Sequence, residues 1–180
     1  MTAKQALRAT LRTRRDAAPP VAIAVAPDFL ARLTPGAAIA SYLPIGSEAD
    51  PAPFVAAALA RGCTIALPHV VDRATPIRFL ALTGEDPLID GPFGLRQPPA
   101  HAAQVAPAII LTPLVGFDRA GNRIGQGAGH YDRAFLSHPG AWRVGVALSV
   151  QEVDRIAADP WDVPLHAIAT DQEWITADHV

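Results

Sequence analysis

The sequence contains little of what secreted or membrane-spanning proteins need. It has one cysteine, Cys63, so no internal disulfide can form, and the apolar residues around it predict a buried side chain rather than a nucleophile. No run approaches the roughly 18 to 20 continuous apolar residues of a membrane-spanning helix. The basic N-terminal residues are not followed by the apolar segment of a secretory signal peptide. We therefore expect a cytoplasmic protein.

An excess of either charge is also missing, with 15 Lys and Arg against 17 Asp and Glu and a formal net charge of -2. A near-neutral protein has no general attraction to nucleic acid or to an anionic membrane, so binding of a phosphate requires a local cluster of cations. Lysine occurs only at Lys4, which argues against a lysine-based mechanism. No zinc site is indicated, because the spacing of zinc ligands does not occur among the histidines His69, His101, His138, His166 and His179.

The 180 residues, half of them hydrophobic, predict a single packed domain over residues 1–180. Short apolar runs bounded by Pro and Gly alternate with helical segments. The predicted strands are 37–43, 64–67, 77–81, 108–111, 142–148 and 168–170, and the predicted helices are 2–16, 21–33, 53–61 and 131–137. Pro27 either interrupts the second helix or starts it. This alternation predicts an α/β fold, with a mostly parallel sheet flanked by helices in three layers and ligands bound beyond the carboxyl ends of the strands.

The glycine-rich segment 117–133 is the most informative part of the chain. Glycines at 121, 125, 127 and 129 let backbone N–H groups approach an anion closely, and the predicted helix that follows adds its dipole. Arg123 can donate a charge-assisted hydrogen bond to a phosphate, and Asp132 offers carboxylate oxygen for Mg²⁺. The spacing matches neither the Rossmann fingerprint nor a Walker A loop. The glycines alone therefore leave a phosphate site and a flexible surface loop equally open.

The full wording of this segment resembles the signature of the 5-formyltetrahydrofolate cyclo-ligase family. That signature is a strand ending in Pro, then Phe-Asp, then Gly-x-Arg-(Leu/Ile)-Gly-x-Gly-x-Gly-(Tyr/Phe)-Tyr-Asp-Arg. The matching residues are Pro113, Phe117, Asp118, Gly121, Arg123, Ile124, Gly125, Gly127, Gly129, Tyr131, Asp132 and Arg133. Further segments that resemble the family are Lys4 with Arg8, 42–44 with Glu48 and Asp50, 67–68, 91–95, 144–147 with Gln151, 161–165 and 169–170.

The resemblance implies a complete site. The residues it would place against ATP are Lys4, Arg8, Arg123, Gly125, Gly127, Gly129 and Tyr131, with Arg123 and Tyr131 also catalytic. The residues it would place against the folate are Leu43, Glu48, Gln126 and His130, and those that would bind Mg²⁺ are Asp132 and Asp162. The implied reaction converts 5-formyltetrahydrofolate and ATP to 5,10-methenyltetrahydrofolate, ADP and phosphate. We expect a monomer with small-molecule ligands and with no nucleic-acid or membrane partner.

Some residues depart from the family pattern. Gln97 stands where Glu is common, His130 where Tyr or Phe is usual, Trp161 where His is, and His166 where Asp is. These departures lie toward the substrate and leave the nucleotide side intact. Because of these departures, one alternative stays open: a binding protein that holds folates or nucleotides without turnover. A sugar-phosphate isomerase or CoA-transferase-like enzyme also stays open, and it would need a carboxylate or Lys at the loop and no ATP.

Taken without the resemblance, the individual site residues have simpler interpretations. Lys4 and Arg8 lie on a basic helix face, which is usually only solvated. Glu48 could cap the following helix, and Asp162 could initiate a turn.

Overall fold

A computed structural model describes residues 2–84 and 87–177, so His179 lies outside the described residues. The helices are α1 (Ala3–Ala17), α2 (Pro27–Ala31), α3 (Ala52–Ala60) and α4 (His130–Ser137). The strands are β1 (Ala38–Ala40), β2 (Thr64–His69), β3 (Arg78–Ala81), β4 (Ile89–Asp90), β5 (Arg96–Gln97), β6 (Ile109–Pro113), β7 (Gly116–Phe117), β8 (Arg123–Ile124), β9 (Trp142–Val146), β10 (Ala167–Ala169) and β11 (Trp174–Thr176). No helix in this part of the chain is long and apolar enough to cross a membrane.

Seven of the strands form one sheet in the order β11-β10-β9-β6-β1-β2-β3. The five inner strands pair in parallel, and β3 and β11 add to the two edges in antiparallel orientation. Two small hairpins, β4 with β5 and β7 with β8, lie outside this sheet. The mostly parallel sheet is therefore confirmed, with β6 in its centre.

The inner strands bury both of their faces, as expected of parallel strands covered by helices. Ile109 joins the core on one face, where Phe29 of α2 and Phe54 of α3 pack edge to face with ring centroids 5.0 Å apart. Its neighbour Ile110 joins the core on the other face, with Phe135 of α4. Successive residues of a strand point to opposite faces, so the sheet lies between two layers of helix. The three-layer prediction is confirmed.

Helix α1 begins with a capping box. The Thr2 hydroxyl accepts a hydrogen bond from Gln5 N at 3.3 Å, and the Gln5 side chain accepts one from Thr2 N at 2.8 Å. The helix packs its buried Leu11 onto Gly116, where an added Cβ would lie 2.3 Å from the Leu11 side chain. Gly116 thus lets α1 lie directly against the β7–β8 hairpin, which carries Arg123.

The prediction of a helix over 21–33 is wrong in its extent. Residues 21–26 are not helical, and α2 begins only at Pro27, after Ala26 in extended conformation. Pro disfavours helical dihedrals in the residue before it, so Pro27 starts the helix and does not interrupt a longer one. The sequence reading also missed β11 and both hairpins, whose strands of two or three residues are too short to show a periodic pattern.

Candidate active site

A cleft with a volume of about 920 Å³ opens at the carboxyl ends of the parallel strands. Its walls come from the segments that follow β1 and β2, from the end of β6, from the glycine-rich loop after β8, and from one face of α1 and the first turn of α4. The predicted site residues that line it are Lys4, Arg8, Leu43, Glu48, Arg123, Gly125, Gln126, Gly127, Gly129, His130, Tyr131, Asp132 and Asp162. The structure therefore brings together every residue of the predicted site, although convergence alone does not assign their roles.

Arg123 is held firmly in the wall of the cleft. Its side chain is 7% exposed, with Nη2 2.5 Å from Asp132 Oδ1. Its Nη1 donates to the carbonyl oxygen of Val163, and the guanidinium lies 4.6 Å from the ring centroid of Phe135. Val163 N also donates to Asp132 Oδ1 at 3.2 Å. The Arg123–Asp132 pair therefore ties the glycine-rich loop to α4 and to the segment around Asp162.

The first turn of α4 faces the cleft without a side-chain cap. Gly129 stands at the N-cap with φ of 65°, a left-handed conformation that favours glycine, and no side chain in the described part of the chain caps the N–H groups that follow. The first N–H groups of a helix have no partner within it, so this end can receive an anion. Burial raises the pKa of the Tyr131 phenol well above its usual range, and the charge of Glu48 adds to the rise. Tyr131 is thus a protonated hydrogen-bond donor rather than a base.

The glycine-rich loop rests on α1. Arg8 Nε donates to the carbonyl oxygen of Gly125 at 2.8 Å, and an added Cβ at Gly127 would lie 3.6 Å from the Arg8 guanidinium. One turn further along α1, Arg12 donates to the side chain of Gln126, whose Nε2 donates in turn to Glu48 Oε1 at 3.2 Å. Arg12 was not predicted as a site residue, although its spacing of four from Arg8 places it on the same helix face.

Lys4 lies between two carboxylates at the same end of the cleft. Its Nζ is 2.5 Å from Asp159 Oδ2 and 3.1 Å from Asp162 Oδ2, and these contacts raise the pKa of the ammonium, with Asp159 the largest cause. Asp162 Oδ2 also accepts a hydrogen bond from Asp159 N at 2.8 Å, which agrees with the turn interpretation. Asp159 was not predicted as a site residue, because it lies 155 residues from Lys4 in the sequence and no local pattern connects the two.

The carboxylates of this end suit Mg²⁺ only in part. Within residues 2–84 and 87–177, no group of three or more His, Cys, Asp or Glu side chains could hold a metal ion. Mg²⁺ in nucleotide sites usually takes one or two protein carboxylates, with phosphate oxygens and water completing its shell. Asp162 and Asp159 fit that requirement. Asp132 offers only the oxygen that Arg123 and Val163 do not engage.

The opposite end of the cleft is more apolar. Its lining here comprises Leu43, Ile45, Pro68, Val70, Ile77, Phe93 and Leu95. Glu48 does not cap α3, since its Oε2 accepts from Ile45 N at 3.1 Å and thereby closes the loop after β1. Phe93 is exposed with φ of 61°, and its ring centroid lies 6.4 Å from that of His130. Burial and the charge of Arg133 lower the pKa of His130, so its ring is neutral at pH 7.

Gln97 does not line the cleft. It is 3% exposed, and its side-chain amide pairs with the backbone of Val70: Oε1 accepts from Val70 N at 2.9 Å and Nε2 donates to Val70 O at 3.1 Å. An added Cβ at Gly91 would lie 2.6 Å from the Gln97 amide, so a larger residue there would push the amide away from Val70. Gln97 thus fixes the backbone of Val70, a residue that lines the cleft. Of the other departures, Trp161 lines the cleft, and His166 bonds Arg143.

These features define the class of protein. A parallel sheet covered by helices on both faces carries, at its carboxyl edge, one cleft with a cationic, glycine-rich side and an apolar side. This is an arrangement typical of small α/β enzymes, whose ligands bind beyond the carboxyl ends of the strands.

The comparisons with known proteins make the class specific. The model of the 5-formyltetrahydrofolate cyclo-ligase family matches residues 1–171, and the chain belongs to this family of ligase enzymes. It is 32% identical over 151 residues to the 5-formyltetrahydrofolate cyclo-ligase of Mycolicibacterium smegmatis. This alignment covers 79% of this chain and 77% of that protein. A shorter alignment to the Haemophilus influenzae cyclo-ligase is 36% identical over 100 residues and spans about half of each chain, 50% and 51%.

A solved structure extends the similarity to the whole fold. The NMR structure of Aquifex aeolicus 5,10-methenyltetrahydrofolate synthetase superposes with a TM-score of 0.72 at 25% identity, covering 99% of this chain and 95% of that one.

Proposed function

We propose that this protein uses ATP and Mg²⁺ to convert 5-formyltetrahydrofolate to 5,10-methenyltetrahydrofolate, with release of ADP and phosphate. The observation that carries the proposal is the convergence of all the predicted nucleotide and folate residues on one cleft. Family membership supports the folate reaction, and the cleft's two-sided chemistry supports a nucleotide beside it.

The nucleotide side would hold the triphosphate with backbone amides and fixed cations. The glycine-rich loop and the first turn of α4 line this side, where their N–H groups would bind phosphate oxygens, and Arg8 and Arg123 supply positive charge that is already in place. Lys4 would exchange its carboxylate partners for a phosphate oxygen, which leaves Asp162 and Asp159 available to a cation. Mg²⁺, held by Asp162 with Asp159 or Asp132, would neutralise charge on the phosphate oxygens during transfer.

The folate side would position the formyl group toward the terminal phosphate. Leu43 offers apolar contact, while Glu48 and Gln126, bonded to each other, present polar atoms to the pterin. A neutral His130 can stack on or hydrogen-bond the ligand without adding charge. In the reaction, the formyl oxygen attacks the terminal phosphorus and ADP leaves. N10 then attacks the activated carbon, and phosphate departs with the former formyl oxygen.

Tyr131 would act between the two sides as a donor. Its phenol keeps its proton because burial disfavours the anion, so it can hydrogen-bond an oxygen that gains negative charge. Arg123 would stabilise charge on the transferred group while Asp132 and Val163 hold its guanidinium in place.

The test is a turnover assay with purified protein, 5-formyltetrahydrofolate, ATP and Mg²⁺, followed by the absorbance of the methenyl product. We expect product only when ATP and Mg²⁺ are both present. ATP binding by calorimetry without product would favour the binding protein, and activity on a sugar phosphate or a CoA ester without ATP would favour the other enzyme class. The monomeric state and the cytoplasmic location stay predictions, the first open to size-exclusion chromatography with light scattering.

A further inference from the structure

Thr112 carries a buried hydroxyl without a partner at the floor of the cleft. The residue is 1% exposed, and no hydrogen bond to its Oγ1 exists among the described residues. A buried hydroxyl left unpaired costs free energy, so native structures rarely keep one without a reason. Thr112 lies in β6 and lines the cleft, where an entering ligand could supply the missing partner.

The position of Thr112 within the sheet indicates which ligand group it would meet. Ile110, two residues earlier in β6, belongs to the core beneath α4, and strand alternation places Thr112 on that same face. The first turn of α4, which has no side-chain cap among the described residues, lines the same cleft as Thr112. An anionic oxygen there would be bound by the amides of that turn and by the Thr112 hydroxyl.

The central place of β6 also puts Thr112 at the junction of the two sides of the cleft. On one side, β1 leads into the segment with Leu43 and Glu48. On the other, β9 leads to the turn at Ser149–Gln151, against which α1 packs with Lys4 and Arg8 on its cleft side. A group transferred from a nucleotide to a folate must pass this junction.

We propose that the Thr112 hydroxyl hydrogen-bonds an oxygen of the terminal phosphate of the nucleotide, the group that the proposed reaction transfers. The inference rests on the proposed function and assigns to it a contact residue outside the glycine-rich loop. Because Thr112 is 1% exposed, the phosphate must displace the side chains that lie over the hydroxyl.

Ser41 provides a matched control. Its hydroxyl is also buried and has no partner within residues 2–84 and 87–177, and the residue directly follows β1, while Thr112 is the last residue but one of β6. Ser41 lies two residues after Ile39, which belongs to the core on the face away from α4, and it is not among the residues that line the cleft. Its hydroxyl therefore shares the burial of Thr112 and lacks its access to a ligand.

The experiment compares Thr112→Val, Thr112→Ser and Ser41→Ala with the wild type. Thermal unfolding without ligand should give both Thr112→Val and Ser41→Ala a Tm equal to or above that of the wild type, because each removes an unpaired buried hydroxyl. With MgATP, the rise in Tm should be smaller for Thr112→Val alone, and its kcat should fall about tenfold, the worth of a hydrogen bond to a charged group. Thr112→Ser, which keeps the hydroxyl, should restore the MgATP-induced rise in Tm and the kcat of the wild type.

Several outcomes would overturn the inference. Thr112→Val with the wild-type MgATP shift and wild-type kcat would make Thr112 a packing residue, and a lower Tm without ligand would reveal an internal partner for its hydroxyl. A wild type that binds MgATP without turnover would refute the proposed reaction, whereas the comparison of MgATP shifts would still decide the role of Thr112. A wild type with no MgATP shift would refute both.

Discussion

Gln97→Glu tests whether the Gln97 amide stabilises the fold by holding the backbone of Val70, a role called the Gln97 clamp below. The substitution keeps the shape of the side chain. It also replaces the Nε2 donor, 3.1 Å from Val70 O, with a carboxylate oxygen at a site that is 3% exposed. An ionised carboxylate would repel the Val70 carbonyl, whereas a protonated carboxyl could still donate to it. The variant should therefore hold a proton in the folded state, with the pKa of its carboxyl raised by burial.

The stability of this variant should then depend on pH. Glu has a pKa of about 4.3 when unfolded. If burial raises the folded value by about 2 to 3 units, stability is intact below pH ~4.3 and falls as pH rises to the folded pKa, with a loss of about 3–4 kcal/mol at neutral pH. Urea unfolding of wild type and Gln97→Glu at pH 5 and 7.5 measures this loss. Gln172→Glu, an exposed position, makes the same charge change and should show no such difference. Equal stability of Gln97→Glu at both pH values would refute the clamp.

Three further substitutions test individual contacts in the cleft. Lys4→Met should raise the KM for ATP about tenfold because one charged phosphate contact is lost, whereas Arg14→Gln on the exposed side of α1 should leave it unchanged; equal effects would reduce Lys4 to a solvated charge. Arg123→Lys cannot bridge both Asp132 and the Val163 carbonyl, so the free energy of unfolding should fall by about 1–3 kcal/mol and kcat with it; wild-type kinetics with ATP would remove Arg123 from the site. Because the pKa of His130 is lowered in the folded state, the unfolded chain binds a proton on this ring before the folded chain does as the pH falls. The free energy of unfolding of the wild type should therefore fall as the pH drops below 6.5, and urea unfolding of His130→Phe should show a smaller fall. The same pH dependence in both proteins would show that His130 does not titrate abnormally.

Much of the fold could be predicted from the sequence because its signals are local. Runs such as 108–111 are bounded by Pro, and their apolar residues alternate between two buried faces, so a parallel sheet was the natural interpretation. Where the deciding contacts were not local, prediction failed. β11 forms because it pairs with β10, and its own residues show no periodic pattern. Residues 21–26 are apolar enough to suggest a helix, but Pro27 disfavours helical dihedrals in the residue before it, so they do not extend α2.

The glycine-rich loop and its family signature determined where the candidate site would lie and which residues would form it. The order of residues between Gly121 and Arg133 carries that information directly, because each residue's backbone freedom or charge matters at its own position. The sequence also placed Lys4, Arg8 and Asp162 in the site through resemblance, without showing how they would meet.

Only the tertiary structure decided what those residues contact. Lys4 meets Asp159 and Asp162 across more than 150 residues, a separation at which spacing carries no information about distance. The same holds for Gln97, whose amide pairs with Val70, and for Thr112, whose hydroxyl at the centre of the sheet has no partner among the residues that the structure describes. Hydrogen-bond satisfaction depends on which groups the folded chain brings within about 3 Å, and that is a property of packing rather than of sequence order.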